Sequence, residues 1–142
     1  MDAEQNKAIV RRWFEEVWNQ QRSGTIDELL PPDGLVNGLS PNGPGKGPAA
    51  FRPFWEQFRG AFPDIRITVE DAVAEGDKVA ARIRFTGTHQ GNHFGTPATG
   101  KSVTGTGLVL VRLRNGQIAE SWNEFDALKV FLETGVVKMA GA

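Results

Sequence analysis

Cysteine and tyrosine are both absent from this chain, and histidine occurs only twice. Without cysteine there is no disulfide framework and no thiol chemistry, which excludes redox roles and makes the cytoplasm the expected compartment. His89 and His93 stand four residues apart, but Gly91, Gly95 and Pro97 around them argue for a loop rather than a metal-binding helix. With no third histidine and no thiolate, no metal centre is expected. An excess of one charge is also missing: the net charge is −1, with acidic and basic residues interspersed. That gives no electrostatic footprint for nucleic acid or an anionic membrane. Apolar runs such as Gly107–Val111 are far too short to span a bilayer. The opening MDAEQNK lacks the charged-then-apolar order of a signal peptide.

Aromatic carbon, by contrast, is plentiful: nine Phe and four Trp without a single phenol hydroxyl. Such surface suits an apolar core or cavity better than a hydrogen-bonding interface. The 142 residues fit one domain, 1–142, large enough to bury about two-thirds of the surface of its unfolded chain.

Residues 4–19 predict an amphipathic helix, with Ile9, Val10, Trp13, Phe14, Val17 and Trp18 on one face and Asp2 as its cap. Thr25–Glu28 reads as a capping box for a short second helix ending at Pro31-Pro32. The segment Pro31–Pro48 holds five of the eight prolines and reads as a loop around one short edge strand, Leu35-Val36-Asn37. A third helix is predicted over Ala49–Ala61, burying Phe51, Phe54, Trp55, Phe58 and Phe62, with Pro53 marking where its regular part begins. Period-two alternation over Ile65–Glu70 predicts a half-buried strand. Gly76-Asp77 makes a turn, after which Val79, Ala81, Ile83 and Phe85 share one strand face. Arg82 and Arg84 fall on the other. Val103–Leu113 is apolar on both faces in its middle and so reads as central, Asn115-Gly116 is a hairpin turn, and Ile118–Phe125 returns. A closing helix covers Leu128–Leu132. Helices followed by strands indicate an α+β fold, with helices packed on one face of a curved sheet.

Two segments stand out: GTHQGNHFGTPATGK (Gly87–Lys101) and RLRNGQIAESWNEFD (Arg112–Asp126). Together with VRRWFEEVWNQ (Val10–Gln20), FPDIRITVED (Phe62–Asp71), EGDKVAARIRFTGTHQG (Glu75–Gly91), TPATGK (Thr96–Lys101) and RNGQIAESW (Arg114–Trp122), they make the chain resemble the SnoaL-like polyketide cyclases and ester cyclases of the NTF2-like superfamily. The resemblance implies a cone: a curved antiparallel or mixed sheet wrapped by three N-terminal helices around an apolar pocket. It also implies a homodimer, no metal or organic cofactor, and an apolar aromatic small molecule as ligand. In the family reaction an acidic side chain shuttles a proton while the enolate of a tricyclic polyketide ester attacks a carbonyl.

Two departures from the family pattern follow. Asn123 stands where the aldol cyclases carry the catalytic Asp, just after the Trp122 position, and Val109 stands where they can carry a His. An amide cannot exchange a proton at a useful pKa, but it can donate a hydrogen bond to a developing oxyanion. The short strand supplies Asn37 as a second amide of that kind. Asp126 is then the candidate proton carrier if it lies buried among Phe and Trp; otherwise it caps the segment that begins at Ala127. Glu124, of opposite strand parity to Asn123, is expected to face away from the cavity. For the pocket wall the resemblance implies Phe14, Trp18, Trp55, Phe58, Phe85, Val109 and Trp122. His89 is read as a loop anchor and His93 as a lid over the cone mouth. Two functions compete on this sequence, a cyclase-type enzyme and a binding protein that kept the cone but not its acid.

Overall fold

The computed structural model describes residues 2–141. Asp2 accepts from the Gln5 N–H at 2.8 Å while the Gln5 side chain accepts from the Asp2 N–H at 2.9 Å, a reciprocal cap that starts helix α1 (Ala3–Arg12). The helix then widens into a π segment, Trp13–Asn19, and the Gln20 N–H reaches back to the Glu15 carbonyl at 2.9 Å. Trp13, Phe14, Val17 and Trp18 of that segment are all buried. Asn19 ends it by clamping Ile67, donating to its carbonyl at 2.9 Å and accepting from its N–H at 2.7 Å.

Helix α2 (Ser23–Leu29) begins earlier than its sequence signal, and the capping box expected over Thr25–Glu28 does not form. The first helix recruits both side chains instead. Thr25 donates to Glu16 at 2.8 Å, and Arg12 grips Glu28 through two bonds of 2.8 and 2.7 Å. Helix α3 (Gly47–Ala61) starts two residues before expectation, with Pro48 in its first turn where a missing N–H costs nothing. Pro53 lies inside this helix rather than at its start.

Six strands form one mixed, curled sheet in the order β2-β1-β6-β5-β4-β3: β1 (Leu35–Asn37), β2 (Gly45–Lys46), β3 (Arg66–Glu75), β4 (Lys78–Thr88), β5 (Ser102–Arg114) and β6 (Gln117–Phe125). The chain is α+β, as its order of elements implies. Strand β1 is not an edge: it runs parallel to β6, and the two-residue β2 covers its other side. Strand β3 outruns the alternation that predicts it because a bulge between Val69 and Asp71 resets the register. Ala72 and Ala74 thereby rejoin the core side, and Glu70 at the bulge pairs with Arg82 and Arg84. Helix α4 (Ala127–Thr134) closes the chain and stops at Gly135, whose φ of 85° is the left-handed cap that glycine tolerates best.

Along β5 the odd-numbered residues are buried and the even-numbered ones turn outward. In β6, Ser121 and Asn123 follow the inward set, while Glu120, Trp122 and Glu124 pair with the outward residues Arg112, Leu110 and Leu108. This alternation decides which side chains can meet inside the cone.

Candidate functional site

The concave face of the sheet and the aromatic faces of the two long helices enclose a cavity of about 70 Å³. The π segment supplies Trp13, Phe14 and Trp18, helix α3 supplies Phe51, Phe54 and Phe58, and the sheet supplies Ile83, Phe85, Val109 and Asn123. Trp18 meets Phe51, Phe54 and Phe58 edge-on at 6.0, 6.1 and 6.1 Å, and Phe58 meets Phe85 at 5.6 Å. These edge-to-face contacts are the geometry that aromatic quadrupoles prefer. Gly105 makes room for this wall, since a Cβ there would stand 2.3 Å from Phe85 Cε1. A second space of about 30 Å³ shares Trp13, Phe14, Leu39, Phe51 and Asn123 with the first and is lined further by Ser121.

Asn123 therefore sits between two apolar spaces, and its amide is oriented by the backbone. Its Nδ2 donates to the Asn37 carbonyl at 2.9 Å and to Ser121 Oγ at 3.1 Å. A carbonyl can only accept, so the nitrogen belongs on that side and the Oδ1 on the other. The close approach depends on Gly38, φ 90°, where a Cβ would fall 2.1 Å from the Asn123 carbonyl oxygen. Both amide hydrogens being engaged, the donor role toward an oxyanion that the sequence suggests for Asn123 is not the one its geometry offers. The opposite residue on β5 is Val109, which supplies no polar atom.

Other candidate residues lie elsewhere. The Asn37 side chain turns to the outward face, donating to Glu120 at 3.0 Å and to the Ser121 carbonyl at 2.9 Å, because β1 follows the parity of its neighbour Trp122. Trp122 itself is half-buried on that outward face opposite Leu110. Trp55 is core: its indole N–H donates to the Val17 carbonyl at 3.0 Å, and the Arg59 guanidinium lies 4.2 Å above its ring. Asp126 is exposed and takes the capping role left open by the sequence, accepting from the Lys129 N–H at 3.1 Å. It does not line the cavity. Glu124 and Thr106 border the cavity but are exposed and belong to the outward set.

The two histidines are fully buried under the Gly87–Lys101 loop, so His93 is no lid over the mouth. His89 Nδ1 takes the Thr99 N–H at 3.3 Å, which anchors the loop. Thr134 spends its hydroxyl hydrogen on the Val130 carbonyl at 2.9 Å, so His93 Nδ1 is the donor in their 3.2 Å contact. Burial first, and the neighbouring His89 second, hold His93 below the usual histidine range. Phe58 and Phe62 pack edge-on against His93 at 6.0 and 5.3 Å, and the imidazole is absent from the cavity lining. Among the described residues no cluster of three or more His, Cys, Asp or Glu is placed to hold a metal ion.

The family model of the SnoaL-like polyketide cyclases matches residues 8–133 of this chain. The chain belongs to that family. Aklanonic acid methyl ester cyclase DauD of Streptomyces sp. (strain C5) is 29% identical over 129 residues, covering 89% of this chain and 80% of the relative. Aklanonic acid methyl ester cyclase DnrD of Streptomyces peucetius is 29% identical over the same length, covering 89% and 88%. Among solved structures, a proposed SnoaL-like polyketide cyclase from Jannaschia sp. CCS1 superposes with a TM-score of 0.85 at 27% identity, covering 96% of this chain and 95% of that one. IdmH from Streptomyces antibioticus, a proposed polyketide cyclase, gives a TM-score of 0.81 at 29% identity, covering 92% and 99%.

Within this SnoaL-like cone the inward polar side chains at the cavities are Asn123 and Ser121, and neither carries a mobile proton charge at neutral pH. Ser121 and Leu39 are lining residues that the sequence reading did not single out. Ser121 carried a usable signal, being two residues before Asn123 on the same strand face. Leu39 carried none, since a residue beyond a three-residue strand has no periodicity to read.

Proposed function

We propose that this chain takes an apolar aromatic carbonyl compound of the polyketide class into the cone and promotes its cyclisation by positioning. The observation that carries this reading is a cavity walled by six helical aromatics, with Val109 and Asn123 on the sheet side; Glu124, the one carboxylate among the described lining residues, is exposed and belongs to the outward set. Its likeness to two aklanonic acid methyl ester cyclases supports ring closure as the reaction type. Folding a flexible chain so that nucleophilic carbon and carbonyl meet is worth several kcal/mol without any side-chain proton transfer. Protons then exchange with water or with the substrate's own groups. Neither a metal nor an organic cofactor has a part in this account.

A second reading, a binding protein without turnover, is favoured by Asn123 and Val109 standing where the family's acid and histidine are expected. Liquid chromatography–mass spectrometry of aklanonic acid methyl ester incubated with the protein separates the two. Ring closure above the buffer rate supports positioning catalysis. Retention of unchanged ester by the protein on ultrafiltration supports the binding reading. Absence of both conversion and retention would sink the polyketide class of ligand altogether.

A second copy of this chain is the proposed partner, covering the outward sheet face where Leu108 is 62% and Leu110 37% exposed beside Trp122. No helix among the described residues is long and apolar enough to cross a membrane. The cytoplasm is the proposed compartment, on the lack of cysteine.

A further inference from the structure

Among the described residues nothing donates to Asn123 Oδ1, although both hydrogens on the same amide are engaged. Ser121, its neighbour on the inward face and 8% exposed, has the complementary gap: its Oγ accepts from Asn123 Nδ2, but among the described residues its own hydrogen finds no acceptor. Side by side at the junction of the two cavities lie one free acceptor and one free donor, surrounded by Trp13, Phe14, Leu39 and Phe51. The residues across the strand, Val109 opposite Asn123 and Val111 opposite Ser121, are apolar and satisfy neither.

From this juxtaposition we infer that the cavity recognises a hydroxyl group, a phenol or an alcohol, on its otherwise apolar ligand. The inference rests on the cavity being the ligand site and adds which functional group is read there. A hydroxyl is the simplest group that both donates and accepts through one atom, so it donates to Asn123 Oδ1 while accepting from Ser121 Oγ–H. An ether or ester oxygen can accept from Ser121 but offers Asn123 nothing. It strands a desolvated acceptor, and sites built around a polar partner reject ligands lacking it far more strongly than apolar pockets reject an extra methylene. An oxyanion is disfavoured too, because the atom facing it would be the amide oxygen. Asn123 thus acts as a specificity-determining residue in the place of a proton carrier. No covalent step belongs to this role.

Calorimetric titration of the purified protein with 2-naphthol and with 2-methoxynaphthalene tests it, in the wild type, in Ser121→Ala and in Asn123→Leu. The wild type is expected to bind 2-naphthol about tenfold or more tightly than the ether, the size of an unmade buried hydrogen bond. Ser121→Ala, which leaves the Asn123–Asn37 tie intact, is expected to lower 2-naphthol affinity severalfold and shrink the preference. In Asn123→Leu, if it folds by circular dichroism, the preference disappears while the ether still binds. Equal affinities for the two probes in the wild type overturn the hydroxyl inference and leave the cavity as a ligand site. A preference that Ser121→Ala leaves unchanged also overturns it. Binding of neither probe removes the cavity reading itself, and the inference with it.

Discussion

The Asn123 amide nitrogen lies 2.9 Å from the carbonyl oxygen of Asn37, a bond that joins the last strand to the short parallel strand and fixes which way the amide faces. The family resemblance makes Asn37 a pocket residue. The bond shows it working through its backbone, with its side chain on the far side of the sheet.

Asn123→Asp restores the residue type expected of an aldol cyclase, and the same bond makes it costly. A carboxylate oxygen would face the Asn37 carbonyl and lose both donated bonds, a penalty of about 1–3 kcal/mol at neutral pH. The protonated acid can donate one bond back, so the introduced carboxyl has a raised folded-state pKa. Its penalty is full above that pKa and fades as pH falls toward the unfolded-state value. The melting-temperature gap between Asn123→Asp and wild type should therefore narrow in acid. A gap independent of pH contradicts the bond's role.

Asp126 separates capping from catalysis. Asn is an equally good helix cap, so Asp126→Asn should keep both stability and any turnover, whereas Asp126→Ala should cost about 1 kcal/mol in denaturant unfolding. Loss of ring closure in Asp126→Asn, with stability unchanged, would make Asp126 the proton carrier after all.

How far the sequence could be read follows the reach of local signals. The amphipathic stripe of the first helix, the Asn115-Gly116 hairpin and the alternation of β4 to β6 each depend on neighbours in sequence, and each is found where expected. The misplacements come from long-range partners. Thr25 and Glu28 look like a capping box until Glu16 and Arg12 claim them. Trp55 looks like pocket wall until its N–H meets the Val17 carbonyl. The family resemblance puts Asn123 inward, and strand parity then puts Glu124 outward. Neither signal hints that β1 runs parallel to β6, which is what turns Asn37 away.

His93 makes acid stability a test of the buried loop. Its folded-state pKa is depressed, so the unfolded chain takes up a proton that the native protein refuses. Stability from this group is complete above the unfolded histidine value of about 6.5 and falls as pH drops below it, by at most about 1.4 kcal/mol per pH unit. His93→Phe should remove the part of that onset that His93 carries. An unchanged onset near pH 6.5 would point away from His93.

Leu108 probes the outward sheet face. Light scattering after size exclusion should give twice the chain mass of 15.5 kDa for the wild type and one chain mass for Leu108→Asp, which places a second carboxylate beside Glu124 on the exposed outward face. A monomeric wild type would remove the second copy as its partner.

The most direct measurement is titration of the protein with 2-naphthol, followed by tryptophan fluorescence, in wild type and Leu39→Trp. Leu39 borders both spaces from a loop, so an indole there fills the cavity with little strain on the sheet. One saturable site in the wild type, lost in a folded Leu39→Trp variant, is the predicted result. Equal binding by both proteins would mean that the cone is packed core and the ligand site lies elsewhere.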